Sequence, residues 1–264
     1  MKYHLSNGCS FSTKKTFSSC HQKLGQHLKI ENPTINLAKG GRGNDRIVNT
    51  TMHWFFKNPD KIKDTFVSVG WTTGYRWDYV SSMRTPKEKL GGIKGELLKF
   101  DFQWGTWQLP QHDFFMRDKD FDVELASAVK LYTNILSLQY FLKFHNIPYV
   151  FYHALTNDLP ENEVDGKPRP DIKLLKDQID RKHFYNFEIS SHAKENVQMQ
   201  LDNRSSAQHR VKVKNKDYVQ SHFEFVAKNG WTKSANDGHP NETGHHKWAE
   251  CLHKFLVENQ LCTR

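Results

Sequence analysis

Tyr3-His4-Leu5-Ser6-Asn7-Gly8-Cys9-Ser10-Phe11-Ser12 reads as a short strand, Tyr3 to Ser6, that breaks at Asn7-Gly8 and turns sharply towards a helix. From Phe17 the spacing Phe17, Cys20/His21, Leu24, Leu28 marks one apolar face of that helix. Beyond Pro33 a second short strand, Thr34 to Ala38, ends in the turn Gly40-Gly41-Arg42-Gly43. Asn44 or Asp45 then caps a helix that carries Ile47, Thr51, Trp54 and Phe55 towards a core. Thr65-Phe66-Val67-Ser68-Val69, closed by Gly70, is a strong β run. Strand and helix alternate, which predicts a parallel sheet with crossover helices.

Residues 81–120 break the rhythm with Gly91-Gly92, Gly95, Gly105, Pro110 and a cluster of aromatics from Phe100 to Phe115. A loop of that length inside a compact domain predicts a lid or substrate-binding insertion. The rhythm then resumes. Asp122 to Asn146 reads as a long helix burying Leu125, Val129, Tyr132, Ile135/Leu136, Tyr140 and Phe144, and Ile147 to Ala154 as a central parallel strand. A charged helix over 171–182 and a last helix, Glu242 to Glu258, with Trp248, Leu252 and Phe255/Leu256 inward, complete the reading; 183–235 shows no clear pattern. One domain over 1–264 accommodates all of it.

Composition narrows the class. With 264 residues, 37% hydrophobic and 13% aromatic, the chain buries a sizeable core and is not wholly disordered. No apolar run approaches the ~18 residues needed to span a bilayer, and the first residues lack the apolar stretch of a signal peptide, so no membrane insertion and a cytoplasmic location are expected. The four cysteines, at 9, 20, 251 and 262, form no C-x-x-C pair, which argues against a zinc ribbon and for reduced thiols. A formal charge of +9 suits an acidic partner or simple solubility. No basic stripe interleaves with aromatics, so nucleic acid is not the expected partner.

Three loop segments carry candidate chemistry. Gly8-Cys9-Ser10-Phe11-Ser12 puts a serine where a strand turns into a helix, the position from which a hydroxyl attacks a carbonyl and its amide helps hold the oxyanion. Read alone, it is more simply a small-residue turn with a capping serine. Asn36 to Asp45, with three glycines, brings backbone N–H groups close to a ligand or forms an ordinary β–α turn; it matches neither G-x-x-x-x-G-K-[ST] nor G-x-G-x-x-G. Asp237-Gly238-His239-Pro240-Asn241 sets a histidine near an acid just before a helix, as a general base and its orienter require. Asn241 as a plain helix cap is the simpler reading of that segment. A metal set of His239, His245 and His246 fits no zinc spacing.

Taken in order, these segments resemble the SGNH (GDSL-type) hydrolase family, and in particular a divergent branch met in phage and bacterial genomes. Gly8-Cys9-Ser10 matches the family's G-D-S segment with cysteine in place of aspartate; Gly41 matches the glycine after the second strand; His239-Pro240-Asn241 matches the base and its neighbours, with Gly244 and Trp248 also in place. The resemblance covers both ends of the chain and about half of it. It implies a flavodoxin-like three-layer α/β/α sandwich with a mostly parallel sheet, and ester hydrolysis or acyl transfer without metal or cofactor. Ser10 is then the nucleophile, His239 the base and Asp237 its orienter.

The sequence departs from the family pattern twice. In Gly70-Trp71-Thr72-Thr73, Thr72 stands where an oxyanion-hole asparagine is expected, and Asp237 is two residues before His239 rather than three. Either the loop lets Asp237 reach the histidine or the site is a Ser–His dyad. The expected oxyanion hole is Ser10 and Gly41, completed by Asn44, whose amide swings into the vacated space, with Thr72 secondary. Trp71, Tyr75 and Trp77 lie where they would either stack on a sugar or pack as a hydrophobic rim, and the expected substrate is a small-molecule or glycan ester. The rival expectation is a glycan-binding or virion protein that kept the fold and lost the chemistry.

Overall fold

The computed structural model describes residues 1–13, 18–81, 103–108, 123–155, 163–164, 167–187, 197–200, 210–213, 221–234 and 237–261. Its strands are β1 (Tyr3–Asn7), β2 (Ile35–Asn36), β3 (Thr65–Trp71), β4 (Arg76–Ser81), β5 (Gln103–Gln108), β6 (Tyr149–His153), β7 (Glu163–Val164), β8 (Lys167–Pro168), β9 (Phe184–Tyr185), β10 (Val197–Gln200), β11 (Arg210–Val213), β12 (Thr232–Ser234) and β13 (Asp237–Pro240). Its helices are α1 (Cys20–His27), α2 (Asn44–Lys57), α3 (Val123–Phe144), α4 (Pro170–Asp177), α5 (His222–Lys228) and α6 (Glu242–Glu258).

Five parallel strands form the central sheet in the order β2-β1-β3-β6-β9. The order reverses at β1, and in such sheets the crevice for a ligand opens outside the carboxyl ends of the strands at that point. Ser10 follows the end of β1. Alternation along the buried strands builds two cores. Val67, Val69 and Trp71 of β3, with Tyr149 and Phe151 of β6, face the layer of α2, α3 and α4. Phe66 of β3, with Val150 and Tyr152 of β6, faces the layer of α1, α5 and α6. The result is a three-layer α/β/α sandwich.

Two details differ from the periodicity reading. The inward stripe of α3 runs Ala128, Leu131, Tyr132, Ile135, Leu138 and Leu142, whereas Tyr140 and Phe144 are exposed. From Ile135 the next turns of a 3.6-residue helix fall at 138–139 and 142, so a stripe continued through 140 and 144 drifts to solvent. The strand expected to close at Gly70 continues to Trp71, which keeps the face of Val67 and Val69 and is fully buried. Of the expected lid at 81–120, only Ser81 and 103–108 are described: β5 pairs with β4 in an antiparallel hairpin, and the rest lies outside the described residues. Among the described residues no helix is long and apolar enough to cross a membrane.

Candidate active site

Three chain segments meet at the carboxyl end of β1. The first is a 3-10 turn, Ser10–Ser12, preceded by the fully buried Cys9. Its position is over-determined. The Asn36 amide donates to the Ser12 carbonyl at 2.8 Å, the Thr13 hydroxyl donates to the Ser10 carbonyl at 2.9 Å, and the Ser12 hydroxyl meets that of Tyr152 at 3.2 Å. Gly8 makes this approach possible: a Cβ there would lie 2.5 Å from Ser12 Oγ, and its φ of +155° suits glycine. Ser10 itself remains partly exposed.

The second segment is the turn from β2 to α2. A Cβ on Gly40 would sit 3.6 Å from that of Ser10, so this turn borders the serine directly. Gly41 has φ +73°, in the left-handed region that favours glycine. The N-cap of α2, Gly43, has no side chain to satisfy the helix's first N–H groups, and Asp78 of β4 does so instead. Asp78 accepts from the Gly43 amide at 3.1 Å and the Arg46 amide at 2.8 Å, and it also faces the Arg46 guanidinium at 3.6 Å. Nothing in the sequence pattern singled out Asp78, because its role is tertiary.

Asn44 takes a different part from the one expected. It is buried, its Nδ2 donates to the Thr72 carbonyl at 3.1 Å and faces that of Thr73 at 3.4 Å, and its Oδ1 accepts the Thr72 amide at 3.0 Å. The side chain clasps the backbone after β3, so its donors do not swing free towards Ser10. The Thr72 hydroxyl, also buried, accepts from the Arg76 guanidinium at 3.0 Å. The expected stacking role of Trp71 is likewise corrected: the indole is fully buried and meets Phe151 edge-on at 5.2 Å, within the α2/α3 core. Tyr75 is partly buried against that core, and Lys130 Nζ covers the Trp77 ring at 4.7 Å.

The third segment is β13. Asp237 Oδ1 lies 2.5 Å from His239 Nδ1 and accepts the His239 amide at 3.0 Å, so a spacing of two residues is enough for the acid to reach the ring. Partial burial works to raise the Asp237 pKa, yet the amide, ring and charge of His239 hold it below the usual carboxylate value. Phe11, from the Ser10 turn, stacks on the His239 ring at 4.9 Å, which brings β13 against that turn. Asn241 caps α6, its Oδ1 accepting the Gly244 amide at 2.9 Å. The histidines after it part company: His246 pairs with Glu250 at 3.0 Å towards solvent, whereas His245 is buried.

Behind the turn, the α1/α5/α6 face of the sheet carries buried polar groups that sequence reading did not assemble. Ser68 of β3 bridges His4 Nε2 at 2.7 Å and His21 Nδ1 at 2.6 Å, and Tyr152 joins His21, Cys20 and Ser12. Burial lowers the His4 pKa to about 3 and pushes that of the Cys20 thiol up to about 12.

No family model matches the chain, and no curated protein matches it. Among solved structures it is similar to the crystal structure of protein YxiM from Bacillus subtilis, at 12% identity and a TM-score of 0.39. The match covers 98% of this chain but 57% of the YxiM chain, so this chain spans little more than half of that protein's length.

Proposed function

We propose that the protein hydrolyses or transfers an acyl ester through Ser10, His239 and Asp237. The observation that carries the reading is the Asp237–His239 contact at 2.5 Å on a strand that abuts the Ser10 turn. In the proposed reaction Ser10 Oγ attacks the acyl carbonyl carbon while His239 accepts the hydroxyl proton. The oxyanion is held by the backbone amides of Ser10 and Gly41, each such donor contributing roughly 10²–10³ in rate. Collapse expels the alcohol, which takes the proton back from His239. Water, or a second alcohol in transfer, then attacks the acyl-serine with His239 again as base. Asp237 keeps the imidazole in the tautomer and orientation that both steps need.

Asn44 and Thr72 enter this scheme as supports of the loop after β3 rather than as oxyanion donors. An acylated carbohydrate remains the proposed substrate class, with the aromatic contribution reduced to Tyr75 and Trp77 by the burial of Trp71. The same two engaged side chains also favour the second reading, a glycan-binding module whose chemistry has faded. A panel of p-nitrophenyl esters of increasing acyl length, run beside acetylated polysaccharides, separates the two. Hydrolysis lost in Ser10→Ala supports the enzyme. Saturable glycan binding with no hydrolysis, unchanged in Ser10→Ala, supports the module.

A further inference from the structure

Behind the Ser10 turn, Cys20, His222 and His245 converge. Each offers one ligand atom, the three atoms lie within 4.8 Å of one another, and all three residues are buried. They come from three helices: Cys20 opens α1, His222 opens α5, and His245 sits in the first turn of α6. Their separation along the chain leaves no local metal-binding spacing to read in the sequence.

A second observation is independent of the first. Neither ring nitrogen of His222 has a hydrogen-bond partner, although the residue is fully buried. The Gly244 backbone faces the ring without reaching hydrogen-bonding geometry. Buried polar groups are normally paired, so a ring with two idle nitrogens calls for a ligand. The ring plane, by contrast, is firmly set: Trp248 stacks on it at 5.0 Å and 10°, and Phe11 meets its edge at 6.0 Å.

We propose that Cys20, His222 and His245 form a binding site for a borderline-soft divalent cation of the zinc type. A sulfur and two imidazoles in an aromatic shell select such an ion over magnesium or calcium, which take hard oxygen ligands. With Zn–S near 2.3 Å and Zn–N near 2.0–2.1 Å, tetrahedral ligands stand about 3.3–3.6 Å apart, so loading needs the cluster to tighten by at most about 1.5 Å. Loading releases the Cys20 thiol proton to solvent. Coordination through His245 Nδ1 would replace the bond that nitrogen now accepts from the Cys20 amide at 3.2 Å. The Tyr152 hydroxyl, 3.4 Å from Cys20 Sγ, stands as an outer partner to the thiolate and links it to Ser12. The ion would tie α1, α5 and α6 together beneath the Ser10 turn, a structural role independent of the proposed hydrolysis.

The test uses the full chain. After incubation with Zn(II) and desalting, elemental analysis is expected to find about one equivalent, and Co(II) loading to give a thiolate-to-cobalt charge-transfer band. Cys20→Ser loses the band and His222→Gln loses most of the metal, while the surface variants His246→Gln and His253→Gln keep both. The unfolding midpoint of the wild-type chain rises with zinc concentration. Less than about a tenth of an equivalent, with no shift in the midpoint, overturns the site. So does loading that survives Cys20→Ser and His222→Gln but disappears in the surface variants, which places the ion at His27, whose ring lies 5.7 Å from that of His246 and 5.3 Å from that of His253. Should the buried variants fail to fold, wild-type protein holding cobalt without a thiolate band overturns it equally.

Discussion

The two sides of the candidate site differ in how their side chains are employed. On the β13 side, Asp237 and His239 are engaged with each other, and Phe11, next in the chain to the partly exposed Ser10, stacks on the His239 ring. On the side of Gly41, Asn44 and Thr72, the side chains are engaged with the scaffold: Asn44 holds the Thr72 backbone and Thr72 accepts from Arg76. The proposed acid–base pair is therefore a pair of side chains, whereas the proposed oxyanion pocket is left to main-chain amides. Replacing side chains on the two sides should accordingly have different kinds of consequence.

His239→Ala should have the largest effect, lowering kcat/KM for the best ester by at least about 10³ while the unfolding midpoint stays close to wild type, because the ring is partly exposed. Asp237→Asn should follow, with a loss of roughly 10²–10⁴ and little change in KM, since losing the orienting acid leaves the wrong tautomer in place. A loss below about tenfold would make the site a Ser–His dyad and weaken the contrast between its sides. Asn44→Ala should act through stability instead. It strips partners from the buried Thr72 amide and carbonyl, so urea denaturation should show a cost of about 1–3 kcal/mol. Any fall in kcat would then accompany disorder of the loop after β3. Thr72→Val should be mildest, under about tenfold in kcat/KM. A loss of 10² with unchanged stability would return Thr72 to the oxyanion hole and erase the difference between the sides.

Much of the fold was legible because strands and helices declare themselves locally. The β run at 65–69, the glycine at position 8 and the cap at Asn241 are each set by neighbours within a few residues. Trp71 was readable too: continuing the alternation of Val67 and Val69 by one more step puts it in the core, but the assumed stop at Gly70 hid this. The drift of the α3 stripe past Ile135 has the same origin, a period followed one residue out of phase. The site was legible in its residue types and less so in their partners. That Asp237 reaches His239 depends on the backbone of β13, whose pairing with β12 shifts register between Thr232 and Ser234, and the commitment of Asn44 to Thr72 joins the start of α2 to the loop after β3. Asp78 under α2, and the meeting of Cys20, His222 and His245, join residues far apart in the chain, so no spacing rule could have joined them.

The central claim is that Ser10 is an activated nucleophile, and a fluorophosphonate probe tests it without knowledge of the substrate. Intact-mass and peptide analysis of the labelled full chain should find one adduct, on Ser10, absent from Ser10→Ala and strongly slowed in His239→Ala. A folded wild-type protein that takes no label, or takes it equally in Ser10→Ala, would contradict the account.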